Sequence, residues 1–342
     1  MTSAEAEVGP VTPTQESQPA APGVAAPAAN APTGLDKSTP LGQLASKLGH
    51  LLESTDHSEM YGVELHAWNE GSDLDVPQQV ILQKFLRANS GDATKAAEQL
   101  EAALKWRKEF QPLKTVEEVF DKSRFEGLGY VTELKGVPGS PNPNDVAVFN
   151  IYGAVKDNKK TFGDLDGFIR WRVALMEMTL SALHLNDAKA PLPDFGKGPD
   201  PYQAVQIHDY LSVSFLRQAP EVKAASSKTI QLFQANYPET MARKFFVNVP
   251  IFMQWMFAAM QIFMAKETVA KMKWMSYGTE LHKDLGSDVP KAYGGSGAEL
   301  VTSSRTPKYD GPSATQAPEA TKTEQPAPSS SEETATPTTT TA

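Results

Sequence analysis

Five side chains of this sequence are of types that could do chemistry together: Tyr152, Arg172, His208, Tyr210 and Lys228. The tightest grouping lies in the run Val205-Gln206-Ile207-His208-Asp209-Tyr210, where apolar and polar residues alternate. On a strand, side chains two apart share a face, so Gln206, His208 and Tyr210 point one way while Val205 and Ile207 point the other. Asp209 then faces away from His208, and the two cannot hold one ion without a bulge. Arg172 falls within the apolar stripe Leu165, Phe168, Ile169, Leu175, Met176 and Leu183, whereas Arg170 falls off it. A guanidinium on the buried side of a helix is costly unless an anion meets it.

A tyrosine can serve as axial ligand to haem iron if its phenol, with an ordinary pKa of about 10, is deprotonated in place. Ferric iron and a nearby cation both favour the phenolate. Arg172 is suited to supply that cation or to clamp a carboxylate bidentately. His208 is placed to bond the phenolate or a carboxylate, and Lys228 to meet another carboxylate. Each residue also has a plainer reading: a satisfied core histidine, a packing tyrosine, an arginine that snorkels. From pattern alone the plainer reading is the commoner outcome, because function resides in sites and not in single spacings.

The elements that must position these residues can be read from periodicity. Residues 204–210 read as a strand, a helix carrying Lys228, Ile230, Leu232 and Phe233 follows, and 244–250 reads as a second strand. Strand, helix, strand is the unit of a parallel sheet with a cleft at its strand ends. Two more strands are expected at 127–132 and 146–152, joined by the Gly- and Pro-rich turn 136–145. In the second, Ala147, Phe149 and Ile151 share one face and Val148, Asn150 and Tyr152 the other. A helix over 164–185 carries Arg172.

Upstream, Leu41, Leu44, Leu48, Leu51 and Leu52 step by three and four in an amphipathic helix. Pro77 suits a first helical turn, with Val80, Ile81, Phe85 and Leu86 on one face. Asp92 is a natural N-cap for the next helix, in which Ala96, Ala97, Leu100, Ala103 and Leu104 share a side. Together these make a helical hairpin.

Composition bounds the function. A net charge of -9 without a basic block argues against a nucleic-acid partner held by phosphate neutralisation. The absence of cysteine excludes disulfides, thiolate-ligated zinc and cysteine nucleophiles. The start Met1-Thr2-Ser3-Ala4-Glu5 lacks the basic and apolar regions of a secretory signal, so a cytoplasmic location is expected. Residues 1–40 and 303–342 are rich in Ala, Pro, Thr, Ser and Glu and are expected to be disordered tails. The run 251–264 is apolar all round but too short to cross a bilayer, which takes roughly 20 residues. No phosphate-binding loop, Gly-x-Ser-x-Gly elbow or His-Glu-x-x-His helix is present.

Several motifs carry a resemblance. Leu82-Gln83-Lys84-Phe85-Leu86-Arg87-Ala88-Asn89, followed by Ala103-Leu104-Lys105-Trp106-Arg107-Lys108-Glu109-Phe110, resembles the helical amino-terminal module of the CRAL-TRIO lipid-binding proteins. Asn236-Tyr237-Pro238-Glu239, Asn248-Val249-Pro250 and Val289-Pro290-Lys291-Ala292-Tyr293-Gly294-Gly295 resemble the family's later motifs, and the likeness spans about 77–300. The resemblance implies an α/β fold, a CRAL-TRIO domain with a mostly parallel sheet floor, a deep apolar pocket and a gating helix, preceded by a helical module. The expected division is 41–112 for that module and 113–302 for the pocket domain, with 251–264 as the gating helix that touches membranes.

The His208-Asp209-Tyr210 triplet, the helix Phe168-Ile169-Arg170-Trp171-Arg172-Val173 and the run Phe245-Phe246-Val247-Asn248-Val249-Pro250 look closest to a fungal branch of phosphatidylinositol transfer proteins whose pocket holds haem b. Carried over, Tyr210 would be the axial iron ligand, with Tyr152, Arg172, His208 and Lys228 contacting the macrocycle or its carboxylates. The implied function is non-enzymatic haem b binding, with phosphatidylinositol transfer and a role in phosphoinositide homeostasis or oxidant stress. The implied location is cytoplasmic, with peripheral association to endoplasmic reticulum or microsomal membranes. The rival readings are a haem peroxidase or catalase-like enzyme and a lipid exchanger without haem.

Overall fold

Leucines at helical spacing form α1, Pro40–Thr55, which starts where the Thr39 hydroxyl accepts from the Gly42 N–H. The computed structural model describes residues 34–213, 219–251, 253 and 269–311. A two-residue ribbon, β1 (Glu59–Met60) with β2 (Val63–Glu64), leads to α2, Val76–Ala88, capped by Asp75. Asp92 caps α3, Ala93–Phe110, by accepting from the Thr94 and Lys95 N–H groups, as its position suggests. The three helices pack on one another.

A buried lysine ties this helical module to the rest of the chain. Lys84 is fully buried, and its Nζ donates to Asp200 Oδ2 at 2.7 Å, to the Tyr202 carbonyl at 2.7 Å and to the Glu239 carbonyl at 2.9 Å. Three acceptors match the three donors of an ammonium, so its burial is fully compensated by hydrogen bonds. Arg107 adds a second junction by pairing with Glu59 and Glu177, and Tyr237 Oη donates to Glu177 at 2.6 Å.

The chain continues through α4 (Pro112–Thr115), β3 (Val119–Phe120) and α5 (Lys122–Phe125) into the hairpin of β4 (Gly129–Lys135) and β5 (Asn144–Ile151). Next come α6 (Asn158–Phe162) and α7 (Leu165–Ala182), then β6 (Ala204–Asp209), α8 (Pro220–Asn236), β7 (Met241–Val247), β8 (Met272–Trp274) and β9 (Lys308–Tyr309). The main sheet has the order β4-β5-β6-β7-β8. Only β4 and β5 run antiparallel; the rest is parallel, as the strand-helix-strand pattern implies.

The two sheet faces differ. Ala147, Phe149, Val205, Ile207, Phe245 and Val247 form one core with Met275, Leu281, Leu285, Val289 and Tyr293. Val146 and Val148 face the other way, toward the core built on α7 and the amino-terminal helices. The alternation within 146–152 and 204–210 therefore assigns faces correctly.

Boundaries shift where backbone geometry intervenes. Strand β4 begins two residues later than expected because Gly127 sits at φ 83° in a turn. Strand β7 is shifted toward the amino terminus, ending before Asn248 at φ 59°. The pocket domain also runs past 302, contrary to the expected tail from 303. Arg305 bridges Val131, β9 pairs in parallel with β3, and Tyr309 packs its ring on the core. An aromatic side chain in Lys308-Tyr309 supplies the apolar contact that the polar residues around it lack. The remainder of the expected tails, 1–33 and 312–342, lies outside the described residues, as does the expected gating helix except Ile251 and Met253.

Candidate functional site

The face of the sheet toward α7 carries a row of side chains in register: Asn150 on β5, His208 on β6, Phe246 on β7 and Trp274 on β8. One row back lie Val148, Gln206, Lys244 and Met272. Period-two alternation on four adjacent strands thus gathers residues that are far apart in sequence into one floor.

Tyr210 lies just past β6, where its N–H donates to the Val247 carbonyl at 3.0 Å and prolongs the ladder by one bond. Tyr152 opens the turn after β5. The segments leaving β5 and β6 are pressed together at Gly153, where an added Cβ would fall 1.8 Å from the Leu211 carbonyl oxygen. Only glycine permits that approach, which sets the Tyr152 and Tyr210 rings 5.2 Å apart. Tyr152 lies 5.6 Å from the His208 ring, and Phe246 lies 5.4 Å from His208 and 6.3 Å from Tyr210. Phe246 stacks on Trp274 at 3.7 Å, completing an aromatic floor.

Arg172 is buried on α7, and its Nη1 donates to Asn150 Oδ1. Its guanidinium lies 5.4 Å from the Phe233 ring of α8 and 5.8 Å from Trp171. The Arg172 Nε and the His208 Nε2 are both buried without a hydrogen-bond partner among the described residues. Neither Arg172 nor Lys244 has a carboxylate within ion-pair distance among the described residues.

Burial dominates the ionisation of the group. It pushes Arg172 below the usual guanidinium range, partly offset by Tyr152. His208 falls well below an ordinary histidine, through burial and then the fields of Lys244 and Arg172. Lys244 is pushed down to about 8 by burial and by Arg172. Both phenols are raised by burial; Arg172 opposes that at Tyr152, while Tyr152 adds to it at Tyr210. The cation expected to favour a phenolate at Tyr210 therefore acts first on Tyr152.

The structure brings together Tyr152, Arg172, His208 and Tyr210. It places Lys228 exposed on α8, with no described contact to the other four. Sequence reasoning passed over Lys244, Phe246 and Trp274. The alternation of 244–250 puts Lys244 and Phe246 on one face, and pairing of β7 with β6 fixes that face as the one bearing His208.

The arrangement is poor for hydrolysis. Asp209 points to the opposite face, where it accepts from Asn248 Nδ2 at 2.7 Å, the Leu211 N–H at 2.9 Å and Tyr293 Oη at 2.8 Å. His208 thus has no orienting carboxylate from its neighbour. No group of three His, Asp or Glu side chains suited to a metal ion occurs among the described residues. Aromatic walls, interior cations and unpartnered donors instead suit an amphiphile with an anionic end. The same set fits haem: phenols for the iron, basic groups for the carboxylates and aromatic rings for the macrocycle.

Comparison with known proteins bears on this directly. Residues 36–102 match the CRAL/TRIO amino-terminal domain and residues 146–295 the CRAL/TRIO domain. The chain is 54% identical over 261 residues to a phosphatidylinositol transfer protein SFH5 of Phaeosphaeria nodorum, covering 76% of this chain and 77% of that protein. It is 47% identical over 277 residues to phosphatidylinositol transfer protein sfh5 of Sclerotinia sclerotiorum, covering 80% and 65%. A solved structure described as the crystal structure of Sfh5 superposes with a TM-score of 0.64 at 25% identity, covering 79% of this chain and 92% of that one. With both domains matched in order and the sheet floor in place, the chain belongs to the CRAL-TRIO family, alongside fungal proteins named for phosphatidylinositol transfer.

Proposed function

We propose that this protein is a non-enzymatic carrier that holds haem b over the aromatic floor, with Tyr210 as iron ligand and phosphatidylinositol as an alternative guest moved between membranes. The observation that carries the reading is the pairing of two half-buried tyrosines with a buried guanidinium and a histidine whose Nε2 has no described partner. Bound ferric iron would supply the positive charge that favours a phenolate at Tyr210 against the opposing effect of burial. Arg172, held by Asn150, would meet a carboxylate, and His208 would accept or donate one hydrogen bond at the phenols or at a second carboxylate. Lys228 would have to reach in from α8 to take part. Phe246 and Trp274 would pack against the macrocycle.

Lipid exchange without haem is the second reading, and it is favoured by the names of the relatives, which are phosphatidylinositol transfer proteins. An enzyme reading needs a further histidine near the iron. His184 lies beyond the end of α7, and His282 is bonded to the Thr279 carbonyl in the segment packed on the other sheet face. A carrier working from the cytoplasm with peripheral contact at endoplasmic reticulum membranes fits the described residues, in which no helix is long and apolar enough to cross a membrane.

The test is the visible spectrum of the purified protein and of Tyr210→Phe. A strong band near the violet edge that weakens in the variant supports tyrosinate-bound haem. Colourless protein carrying extractable phospholipid supports lipid exchange alone, and peroxide turnover above free haemin would revive the enzyme.

A further inference from the structure

Lys244 is a cation on the floor to which the haem reading gives no named role. Its neighbours across the sheet are Gln206 on β6 and Met272 on β8, and its ammonium lies 6.0 Å from the Phe246 ring. A methionine there would fill nearly the same space at no electrostatic cost. Instead, a second cation stands on the same sheet face one row from His208, whose neighbour Asn150 holds Arg172, and both cations depress His208. A buried guanidinium and a half-buried ammonium on one face, with no described carboxylate within ion-pair distance of either, are unfavourable until an anion joins them.

We propose that Lys244 and Arg172 form a paired anion seat on the cavity floor, and that Lys244 selects guests by the charge of their polar end. The ligand chemistry is a carboxylate or a phosphate attached to a large apolar body. Arg172 offers its Nε, fixed in direction by the Nη1 bond to Asn150, and Lys244 offers a point charge on a flexible stem. His208 Nε2 adds a neutral partner at the edge of the seat. The inference rests on the carrier reading but not on which guest is carried.

Two pairs of guests decide it, each pairing an anionic compound with an uncharged counterpart. Haemin is compared with haemin dimethyl ester, and phosphatidylinositol with diacylglycerol, using guest-free wild type, Lys244→Met and Lys244→Arg. In whichever pair binds, Lys244→Met should weaken the anionic member about tenfold and leave the uncharged one within about twofold. Lys244→Arg should keep most of the preference. Guest-free Lys244→Met should melt at or above the wild-type temperature, since it removes an uncompensated charge; this separates lost recognition from lost folding.

Equal weakening of both members of a pair, or of neither, overturns the seat. Wild-type uptake of the lipid pair but not of haemin overturns the haem reading while the lipid pair still decides on Lys244. Failure of the wild type to take up any of the four overturns the seat and the carrier reading together.

Discussion

At the scale of single residues, the sheet floor is a place where charge is held at a disadvantage. Lys244 shows this in its titration. Its pKa of about 8 in the folded chain lies below the ordinary 10.5, through burial and then the field of Arg172 on α7. His208 on β6 is the other titratable group linked to it, and it stays neutral through this range. Between about 8 and 10.5 the unfolded chain holds the lysine proton and the folded chain does not, so stability rises with pH there; below about 8 both hold it and the contribution is flat. Melting of guest-free protein against pH should show this rise over Lys244→Met, and an anionic guest should remove it. Identical curves for both proteins would place the ammonium in water. Tyr210→Phe acts on the same scale: it deletes one oxygen and should change the spectrum with little effect on folding. Tyr210, His208 and Arg172 were legible in sequence because each breaks a local apolar pattern. Lys244 was not, because a lysine at the start of an apolar run looks like a solvated strand end until strand pairing shows what stands beside it.

At the scale of elements, α7 links the cavity to the amino-terminal module. Its Arg172 reaches Asn150 on the floor, while its Glu177, buried among helices, accepts from Arg107 on α3 and from Tyr237 at the end of α8. The Arg107 guanidinium is held above its usual range by Glu177 and Glu59, against the opposing pull of burial. Removing one partner of such a pair leaves the other buried and unpaired. Glu177→Gln should therefore cost about 3 kcal/mol of stability in urea unfolding, and a loss under about 1 kcal/mol would mean that Glu59 alone satisfies Arg107. The α3 cap was readable because Asp92 sits where a side-chain oxygen meets free N–H groups, and Asp75 and Asp164 cap α2 and α7 in the same way. Strand ends were less so, since Gly127 and Asn248 set them through positive φ, which composition does not reveal. The short strand β8 and its Trp274 carry no alternation long enough to recognise.

At the scale of the whole molecule, the two domains are joined by groups that water cannot reach. Lys84 lies in a stretch that reads as an ordinary amphipathic helix, and only its three partners from Asp200, Tyr202 and Glu239 show that it belongs to the junction. The family and the parallel sheet were legible because motif order survives local ambiguity; the junction was not, because its partners lie more than 100 residues away. The carboxyl-terminal reach of the domain was missed for a related reason. Strand β9 is two residues long, yet it pairs with β3, and Tyr309 Oη meets both the Trp171 indole N–H at 3.3 Å and the Phe125 carbonyl at 3.2 Å. A chain ended at 302 should lose about 2 kcal/mol of stability relative to one ended at 311, read by urea unfolding. Equal midpoints would make this pairing incidental.

Trp171 is the residue immediately before Arg172. The last described residues of the chain thus grip the helix at the point from which the guanidinium reaches Asn150 on the sheet. Cleavage or modification just upstream of Tyr309 would loosen the strap from behind, giving a remote handle on the set of Arg172 without touching any atom of the sheet floor.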